Sequence, residues 1–553
     1  MELDGAKLPD GSRLEADVAI VGGGPAGIVT ALELAEAGLD VLLVESGGPR
    51  LDQDTQHLGE REPAGDGLHL PEASSARRQL GGNTVTWGGR CVPFDPVDFD
   101  ARDLTGSARW PIGYADLLPH FDQACRYLDC GLGGFDAQGV PGLAGKTVVP
   151  GLPDGDVRTS SLERWSLPTN FGRHYGDRLR RSPRIRVLLR QTCTRVVLDD
   201  RGQAVAELET KALDGRGATI AARRYVLSAG GLESTRLLMV SGIGDHSGHL
   251  GRWYMAHPQG TIAGARFSTP PGDTVYAHER DPDGVYVRRR FGFSREFTRR
   301  HDLPSFAAWL VNPALADPRH RSGMLSLVYL ALASPAWPLF ASQSLREDHV
   351  AEAGTAALLP HVRNLARDPA GAMRFATGFG YRRYLRRGRR VPGFSTYSPD
   401  NRYPLEYQSE HLPHRESHVT LGSGTDRLGV PRLRTHLHYG QADVDGVLDA
   451  HRRIDRYLRD HGVGRLEYDS ADPEARVREQ LFAGCHQAGT TRMSERPEDG
   501  VVDTDLAVHG VGNLHVASSS VFVTSSHANP TFMILVLALR LAGHLRGQLC
   551  SRV

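Results

Sequence analysis

Residues 15–48 read EADVAIVGGGPAGIVTALELAEAGLDVLLVESGG. Residues 17–21, DVAIV, predict a short buried β-strand, and Gly22, Gly24 and Gly27 follow it at the spacing G-x-G-x-x-G. At this spacing the first glycine permits a tight turn, the second lets a pyrophosphate approach the backbone, and the third lets a helix pack on the strand. The helix N-terminus offers free N–H groups and partial positive charge to phosphates. The stretch therefore predicts a dinucleotide site.

A helix and a second strand follow the glycines, and this context makes the glycine pattern specific. Residues 25–38 carry apolar side chains at helical spacing and end on Gly38. Residues 40–44 predict a strand that delivers Glu45. A carboxylate here accepts hydrogen bonds from the hydroxyls of an unphosphorylated ribose, which fits FAD or NAD rather than NADP. FAD is favoured, because the motif opens a long chain whose C-terminal part also carries motif-like residues.

Composition limits the class of protein. A chain of 553 residues exceeds what one core organises, so two domains are expected. The formal net charge is zero, so no broad electrostatic field attracts nucleic acid or an anionic membrane. Six scattered cysteines without a C-x-x-C pair disfavour a metal site and fit a reducing compartment. No signal sequence is visible, and the apolar run 532–539 is too short to span a bilayer.

From these observations we expect a soluble, cytoplasmic protein with no metal, no nucleic-acid partner and no membrane span. The one strongly basic run, YRRYLRRGRR at residues 381–390, has two interpretations. Its aromatic and arginine side chains suit stacking on nucleic-acid bases. With a net charge of zero, a solvated helix or a lid is favoured.

A second glycine-rich stretch, RRQLGGNTVTWGGRC, covers residues 77–91. It does not suit a regular element, yet it holds more specific hydrogen-bond donors than a linker needs. Two interpretations remain open, a backbone-lined cradle for a flat polar ring system and a surface turn. The candidate cofactor contacts in this stretch are Gly81, Gly82, Asn83, Thr84 and Trp87.

The C-terminal part carries the other informative segments. GCHQAGTTRMS covers residues 484–494, and a strand is predicted at 513–516. ANPT at residues 528–531 predicts a helix N-terminus with proline at an early position. The apolar residues 532–545 predict a long helix, whose N-terminal partial charge suits an anionic ring.

With both ends considered, the chain resembles the glucose–methanol–choline (GMC) oxidoreductase family of flavoenzymes, near pyranose oxidases and the enzymes that oxidise glycosides and aminoglycosides. The motifs that carry the resemblance are the glycine loop with Glu45, LGGNTVTWGGRC (80–91), WPIGYADL (110–117), AGGLESTRLL (229–238), LGRWYMAHP (250–258), HQAGTTRM (486–493) and NPT (529–531). The middle block matches only through SEHLPHRESHVTL (409–421).

The resemblance implies an α/β, Rossmann-like, doubly wound FAD-binding domain and an α+β substrate domain built on a large antiparallel sheet. The expected FAD-binding domain comprises residues 1–135, 190–262 and 476–553. The expected substrate domain comprises residues 136–189 and 263–475.

The resemblance also implies roles for individual residues. The family's catalytic base falls on His486, and its partner across the substrate falls on Asn529. His527 is two residues from that register, which leaves a direct role or a structural histidine at the cavity rim. Glu410 and His411 are candidates for contact with substrate. The further cofactor contacts are Cys193, Ala229, Ser518, Asn529 and Thr531.

The sequence departs from the family at two positions. Thr86 stands where some pyranose oxidases have a histidine that links the flavin covalently, so the FAD is expected to bind non-covalently. Ser518 stands where many members have aspartate, which removes the usual side-chain contact with the flavin tail.

The expected reaction is oxidation of an alcohol of a sugar, glycoside or aminoglycoside to a carbonyl, with hydride transfer to flavin N5 and oxygen or another electron acceptor. A neutral histidine accepts a proton near physiological pH, and an asparagine amide stabilises a developing alkoxide. The alternatives are a buried core histidine at 486, a flavoenzyme of a non-sugar alcohol, a flavin hydroxylase or amine oxidase, and a non-catalytic flavin-binding module. Hydroxylases and amine oxidases are disfavoured by the His486 and Asn529 pair.

Overall fold

The computed structural model describes residues 1–62, 68–69, 75–106, 108–166, 170–337, 358–385, 388–398, 400–482, 484 and 486–550. Its strands are β1 Glu2–Asp4, β2 Ser12–Val21, β3 Val41–Glu45, β4 Arg90–Cys91, β5 Val157–Arg158, β6 Leu162–Trp165, β7 Ile185–Leu189, β8 Thr192–Leu198, β9 Val205–Lys211, β10 Gly217–Leu227, β11 Gln259–Phe267, β12 Glu279–Arg280, β13 Tyr286–Arg289, β14 Gly292–Phe293, β15 Phe306–Leu310, β16 Arg402–Ser409, β17 His418–Thr425, β18 Pro431–His436, β19 Gly464–Tyr468 and β20 Leu514–Val516. Its α-helices are α1 Pro25–Glu36, α2 Gln53–Gln56, α3 Tyr114–Leu117, α4 Phe121–Leu128, α5 Phe171–Arg181, α6 Glu233–Ser241, α7 Arg295–Arg300, α8 Gly323–Ala333, α9 Leu358–Arg367, α10 Pro369–Gly380, α11 Gln441–Asp460, α12 Pro473–Arg478 and α13 Thr531–Cys550.

A mixed sheet organises the first domain, in the strand order β1-β7-β3-β2-β10-β9-β8, with β20 also on β10. The strands β2, β3 and β10 run parallel, and β10 pairs with β2 from Ser12 to Val21. Both faces of the central strands are covered, which explains the continuous apolar run at the end of β2. The helices α1 and α13 pack against this sheet in one large hydrophobic core.

The boundary expected at residue 189 is wrong. Helix α5 and strand β7 belong to the first domain, because β7 pairs in parallel with β3 and the apolar side of α5 joins the same core. Strands β7 and β8 are separate elements. Arg190 adopts a positive φ of 56°, and only β8 continues into the hairpin with β9.

Antiparallel sheets build the second domain, but they are smaller than the single large sheet that was expected. One has the order β15-β16-β11-β19, and the other has the order β12-β13-β6-β4. The two approach each other at one isolated bridge between Phe291 and Ala308, after which Gly292 pairs with β5 instead. Strand pairing is therefore interrupted where a continuous sheet would need it.

The alternation of side chains along β15 and β16 gives the first of these sheets two different faces. Tyr403, Leu405 and Tyr407 point into a hydrophobic core that they share with α11. Because successive side chains of a strand point to opposite faces, Glu406 and Gln408 lie on the other face. Trp309 and Ala307 on β15 share that polar face, which is turned away from α11.

Two further expectations concern particular segments. Helix α13 continues to Cys550, beyond the expected 545, and by length and composition alone it could cross a membrane. However, 61% of its most apolar window is buried inside the protein, where it packs on α1.

Of the basic run at 381–390, Tyr381–Leu385 form one turn of π-helix, and residues 386–387 lie outside the described part.

A buried ion pair ties the two domains together. Arg102 donates two hydrogen bonds to Glu410, of 2.7 and 2.8 Å, and the Ser305 backbone N–H donates a third at 2.9 Å. Both charged side chains are at most 1% exposed. Removing one partner of such a pair leaves an uncompensated buried charge, which is strongly destabilising.

We therefore expect Glu410→Gln to lower the free energy of unfolding by roughly 3–5 kcal/mol. Glu416→Gln provides a matched control, since Glu416 is exposed on the next loop. Urea unfolding of both variants, followed by circular dichroism, measures the difference. Equal midpoints for the two variants would show that the pair contributes nothing to stability.

Candidate active site

The glycine loop lies between β2 and α1, where three backbone segments meet. Gly22 has a φ of 109°, and a Cβ there would lie 2.5 Å from the Ser228 oxygen. A Cβ at Gly27 would lie 2.0 Å from the Gly22 oxygen. Gly24 differs, because the nearest atom to a Cβ there is 4.0 Å away. Close packing thus explains why positions 22 and 27 are glycine, since Gly22 and Gly27 have no room for a side chain. The space at Gly24 leaves room for the close approach of a ligand.

The N-terminus of α1 fits a diphosphate. Gly24 is the N-cap, Pro25 follows, and no side chain caps the helix. The first N–H groups of a helix have no partner within it, so an anion satisfies them together with the helix dipole.

Glu45 lies at the end of β3 beside this loop. Its carboxylate accepts hydrogen bonds from the Gly23 N–H at 2.8 Å and the Gly47 N–H at 2.7 Å. It also lines a cavity that encloses about 680 Å³ of space, part of it open to solvent, together with Arg78, Cys193 and Ala229. Burial raises the pKa of the Cys193 thiol to about 12, so the thiol is neutral. The predicted residues Glu45, Cys193 and Ala229 therefore line one cavity.

The second glycine-rich stretch packs directly on the glycine loop. The Gly81 N–H donates to the Gly23 oxygen at 2.8 Å, and a Cβ at Gly82 would lie 3.0 Å from the Gly24 Cα. Thr84 is buried, donates to the Gly81 oxygen and accepts from the Phe171 N–H at 3.1 Å. Asn83 is exposed at its outer side, with its amide bonded to the backbone of 75 and 77. This location favours the cradle over an isolated surface turn, and Trp87 is partly buried within it.

His486 and Asn529 lie in contact, although 42 residues separate them in the sequence. The Asn529 Nδ2 is 3.0 Å from the His486 Nε2. Asn529 directly precedes Pro530, whose carbonyl accepts the first helical hydrogen bond of α13 from Ile534. The Asn529 Oδ1 is buried and has no hydrogen-bond partner among the described residues. The pair thus presents a nitrogen lone pair, an amide donor and a free amide oxygen at one point.

A second histidine lies against His486, and sequence reasoning did not single it out. The rings of His257 and His486 lie edge to face with their centres 5.1 Å apart, and the His257 Nδ1 is 3.3 Å from the Ser409 oxygen. His257 belongs to LGRWYMAHP, so its motif was recognised but its place beside His486 depends on tertiary contacts. An isolated bridge between Met255 and Ala488 holds the two segments together.

The histidines of the site are held neutral. Burial lowers the pKa of His486 to about 4, and the nearby positive charge of Arg90 contributes to the shift. Burial also lowers the pKa of His257 well below its ordinary value, as does the neighbouring His486. At neutral pH the His486 Nε2 is therefore an unprotonated acceptor for the Asn529 amide, and the proton of the ring resides on Nδ1.

His527 is buried with both ring nitrogens engaged. Its Nδ1 lies 2.8 Å from the Ser305 Oγ, and its Nε2 lies 2.5 Å from the Arg290 Nη1. Burial and the positive charge of Arg290 lower its pKa well below the ordinary value. Of the two interpretations of His527, the structural histidine at the rim agrees with these contacts.

Glu410 and His411, predicted to contact substrate, are both engaged elsewhere. Glu410 is paired with Arg102, as described above. The His411 Nδ1 accepts from the Ala256 N–H at 3.1 Å, and its Nε2 lies 2.8 Å from the His438 oxygen. Because other groups of the protein hold both side chains, Glu410 and His411 are not part of the site.

His411 also approaches His414 and Asp443 in a group with the spacing of a metal site. Both nitrogens of His411 are already bonded, and the Asp443 carboxylate accepts from His414, Leu412 and Gly440. No free lone pair of His411 remains for a metal, so these contacts describe a hydrogen-bond network.

The remaining predicted cofactor contacts lie near Asn529. Ser518 follows β20 and is buried, with its Oγ 2.6 Å from the Ser520 Oγ. Thr531 is the first residue of α13 and is partly buried. The loop and helix ends that carry them belong to the same hydrophobic core as the glycine loop.

Known proteins are similar to this chain in sequence and in fold. Residues 177–259 and 413–538 match the family described as GMC oxidoreductase, and residues 15–56 match an FAD binding domain. The chain is 25% identical to paromamine 6'-oxidase of Streptomyces fradiae, over 99% of this chain and 94% of the relative. It is 36% identical to 6'''-hydroxyparomomycin C oxidase of Streptomyces lividus over 22% of this chain and 24% of the relative. The crystal structure of pyridoxine 4-oxidase from Mesorbium loti shares the fold, with a TM-score of 0.54 and 19% identity over 96% of this chain and 98% of that one.

The GMC oxidoreductase and FAD-binding segments together indicate a flavin-dependent alcohol oxidoreductase. The chain is similar to GMC oxidoreductases over residues 177–259 and 413–538, and it is an enzyme that acts on CH–OH donors with FAD as its cofactor.

The cavity beside Glu45 generates a test of cofactor binding. Glu45→Ala removes a charged acceptor for the ribose hydroxyls, each such hydrogen bond being worth roughly 1.5–3 kcal/mol. We expect weaker FAD affinity, with little change in chemistry per bound flavin, as measured by titration of the apoprotein with FAD. The control is Glu36→Ala, at the exposed end of α1. Equal FAD affinity in both variants would show that Glu45 does not contact the cofactor.

Proposed function

We propose that the protein oxidises a CH–OH group of a sugar, glycoside or aminoglycoside to the carbonyl, with His486 as the base and non-covalent FAD as the hydride acceptor. The contact between His486 and Asn529 is the observation that carries this proposal. The similarity to paromamine 6'-oxidase over nearly the whole chain supports the substrate class. Oxygen or another acceptor would reoxidise the flavin.

The residues present fit FAD. Gly22, Gly24 and Gly27 with the N-terminus of α1 would hold the diphosphate, and Glu45 would hold the ribose. When bound, the flavin supplies the chemistry of accepting, at N5, the hydride that the alcohol carbon loses. The polypeptide supplies binding, orientation and proton transfer.

His486 and Asn529 act on the hydroxyl of the substrate. The hydroxyl would enter between the two side chains and replace their direct contact. Its proton passes to the unprotonated His486 Nε2, and the Asn529 amide donates a hydrogen bond to the oxygen as negative charge develops there. The alcohol thereby loses its O–H proton to the histidine and its C–H hydride to the cofactor, which leaves the carbonyl.

The low pKa of His486 affects this step. A base with a pKa of about 4 is almost fully unprotonated at neutral pH, but it holds a proton weakly. Proton transfer would therefore proceed together with loss of the hydride, because a free alkoxide and an imidazolium would both be costly in this buried site.

Because Thr86 stands where a linking histidine would be, we expect the FAD to be bound non-covalently. The purified protein should be yellow, and acid precipitation should release FAD into the supernatant. Absorbance of the supernatant and mass spectrometry of the cofactor measure this. Flavin that remains with the precipitate would show a covalent link elsewhere.

The sharpest test of the mechanism replaces each member of the pair. His486→Ala should retain FAD and slow flavin reduction by on the order of 100- to 10,000-fold, the scale for removal of a positioned base. Asn529→Ala should slow flavin reduction by a smaller factor, since one oriented donor is worth roughly 2.7–4 kcal/mol at most. The two losses should not add, because both groups act on one oxygen.

Anaerobic stopped-flow reduction by sugars, aminoglycosides and simple alcohols measures the step without reoxidation. A His486→Ala protein that reduces at the parent rate with full flavin would place the base at another residue. If simple alcohols reduce the flavin but no sugar does, the substrate is an alcohol of another class. Bound flavin that no alcohol reduces would indicate a binding module.

The pH dependence follows from the same histidine. Because the pKa of His486 is lowered to about 4, the active, neutral form persists to lower pH than for an ordinary histidine. We expect the rate of flavin reduction to be level from pH 7 to about 5 and to fall as the pH drops through about 4. Stopped-flow mixing from neutral pH limits acid unfolding during the measurement. An acid limb near 6.5 would contradict the assignment.

A further inference from the structure

A charged cluster, which the proposed reaction does not use directly, lies between the two antiparallel sheets of the second domain. On the sheet of β4, β6 and β13, register pairs Arg90 with Trp165 and Glu163 with Arg288, which places these side chains on one face. The Arg90 guanidinium lies over the Trp309 ring at 4.0 Å, and that of Arg288 lies over it at 4.9 Å. The cluster therefore joins the polar face of β15 and β16 to the opposite sheet.

The cluster is next to the base. The Arg90 Nη1 donates to the Gln408 Oε1 at 3.3 Å. Gln408 is followed by Ser409, whose carbonyl bonds to His257, and His257 lies edge to face with His486. Arg90 itself lies near the end of the cradle stretch, directly after Gly88 and Gly89.

Two buried hydrogen-bond donors of the cluster have no partner among the described residues. They are the Gln408 Nε2, on a side chain of a residue only 2% exposed, and the Arg90 Nη2. The Nε of the neighbouring Arg290 is a third such donor. A buried donor without a partner is destabilising, so a ligand that supplies oxygen acceptors here is favoured. An ammonium group supplies only donors and satisfies none of them.

The two carboxylates of the cluster, Glu163 and Glu406, differ in how they are compensated. Glu163 contacts both Arg90 and Arg288, and Glu406 accepts from the Trp309 indole at 3.3 Å. Burial raises the pKa of Glu406, while Arg288 and Arg90 oppose that shift. Glu406 is thus the one described carboxylate of this cluster without an arginine partner within ion-pair distance, and it is the group that would receive a cationic substrate.

We propose that Arg90 and Gln408 make this site selective for substrates that are rich in oxygen acceptors and carry no positive charge, so that neutral or acidic sugars are preferred over amino sugars. This inference rests on the proposed function, and it narrows the substrate class given there. Like charges placed together cost several kcal/mol, so an ammonium group beside Arg90 and Arg288 is disfavoured.

The test compares matched substrates on the FAD-loaded enzyme. At pH 6, where the amines are protonated, flavin reduction is followed with glucose, N-acetylglucosamine, glucuronate and glucosamine. Ethylene glycol and ethanolamine form a second pair that does not depend on sugar recognition. Dissociation constants are measured separately from perturbation of the flavin absorbance spectrum. We expect each neutral or acidic compound to be favoured over its amine by at least about tenfold, a difference of about 1.4 kcal/mol.

Variants assign that preference to residues. Gln408→Leu should weaken binding of neutral sugars, and Arg90→Gln should reduce the preference over amines at least about fivefold by removing both a donor and a charge. Arg459→Gln is the control, because Arg459 is exposed on α11 and pairs with Asp455 away from the site. Flavin content and circular dichroism show whether each variant folds, and Gln408→Leu carries the test if Arg90→Gln does not.

The outcomes separate this inference from the proposed function. Preference for glucosamine and ethanolamine, abolished by Glu406→Gln, would overturn the inference and leave the alcohol oxidoreductase intact. The same selectivity in Gln408→Leu, Arg90→Gln and the control would also overturn it. Reduction by ethylene glycol but by no sugar would reject the sugar class, while the preference over ethanolamine would still support the charge selectivity.

Discussion

Backbone segments approach each other at the glycine loop more closely than any side chain permits, and the rest of the site depends on this approach. A Cβ at Gly27 would lie 2.0 Å from the Gly22 oxygen, and one at Gly47 would lie 2.1 Å from the Arg78 oxygen. Helix α1, the end of β3 and the cradle are thereby packed together. The helix N-terminus and Glu45 acquire fixed positions, which is what recognition of a dinucleotide requires. Asn529, which contacts His486, lies on the segment that leads into α13, a helix of the same core.

Burial and positive charge around His486 have related consequences. The field of Arg90 makes an imidazolium unfavourable, and the same field would stabilise negative charge on the substrate oxygen. The arginines are retained between the sheets by Glu163 and by the Trp309 ring. In the proposed reaction, the residues that discriminate substrates by charge are therefore also those that tune the base. Substitution at Arg90 is expected to couple selectivity and pH dependence for this reason.

Much of the first domain could be predicted from local sequence. The strand, the glycines, the helix and Glu45 are consecutive, and their roles follow from spacing alone. His486 and Asn529 were paired through motif register, and the structure brings them within 3.0 Å. The predictions that failed concern side chains whose partners are distant in the sequence. Glu410 was selected as a recognition residue because it is a carboxylate near a strand, but its partner Arg102 is 308 residues away. The placement of α5 and β7 failed similarly, since β7 pairs with a strand about 140 residues earlier.

The sequence by itself determined the cofactor class, because that property resides in short motifs with fixed chemistry, and motif register paired His486 with Asn529 as a prediction. Tertiary structure alone decided which polar side chains remain open to a ligand. Glu410, His411 and His527 have the residue types of a binding site, but buried polar groups are satisfied by whichever partner the fold brings near. His257, Arg90 and Gln408 became candidates for the opposite reason: the packing of two sheets places them beside His486 and leaves donors of Arg90 and Gln408 without a partner among the described residues.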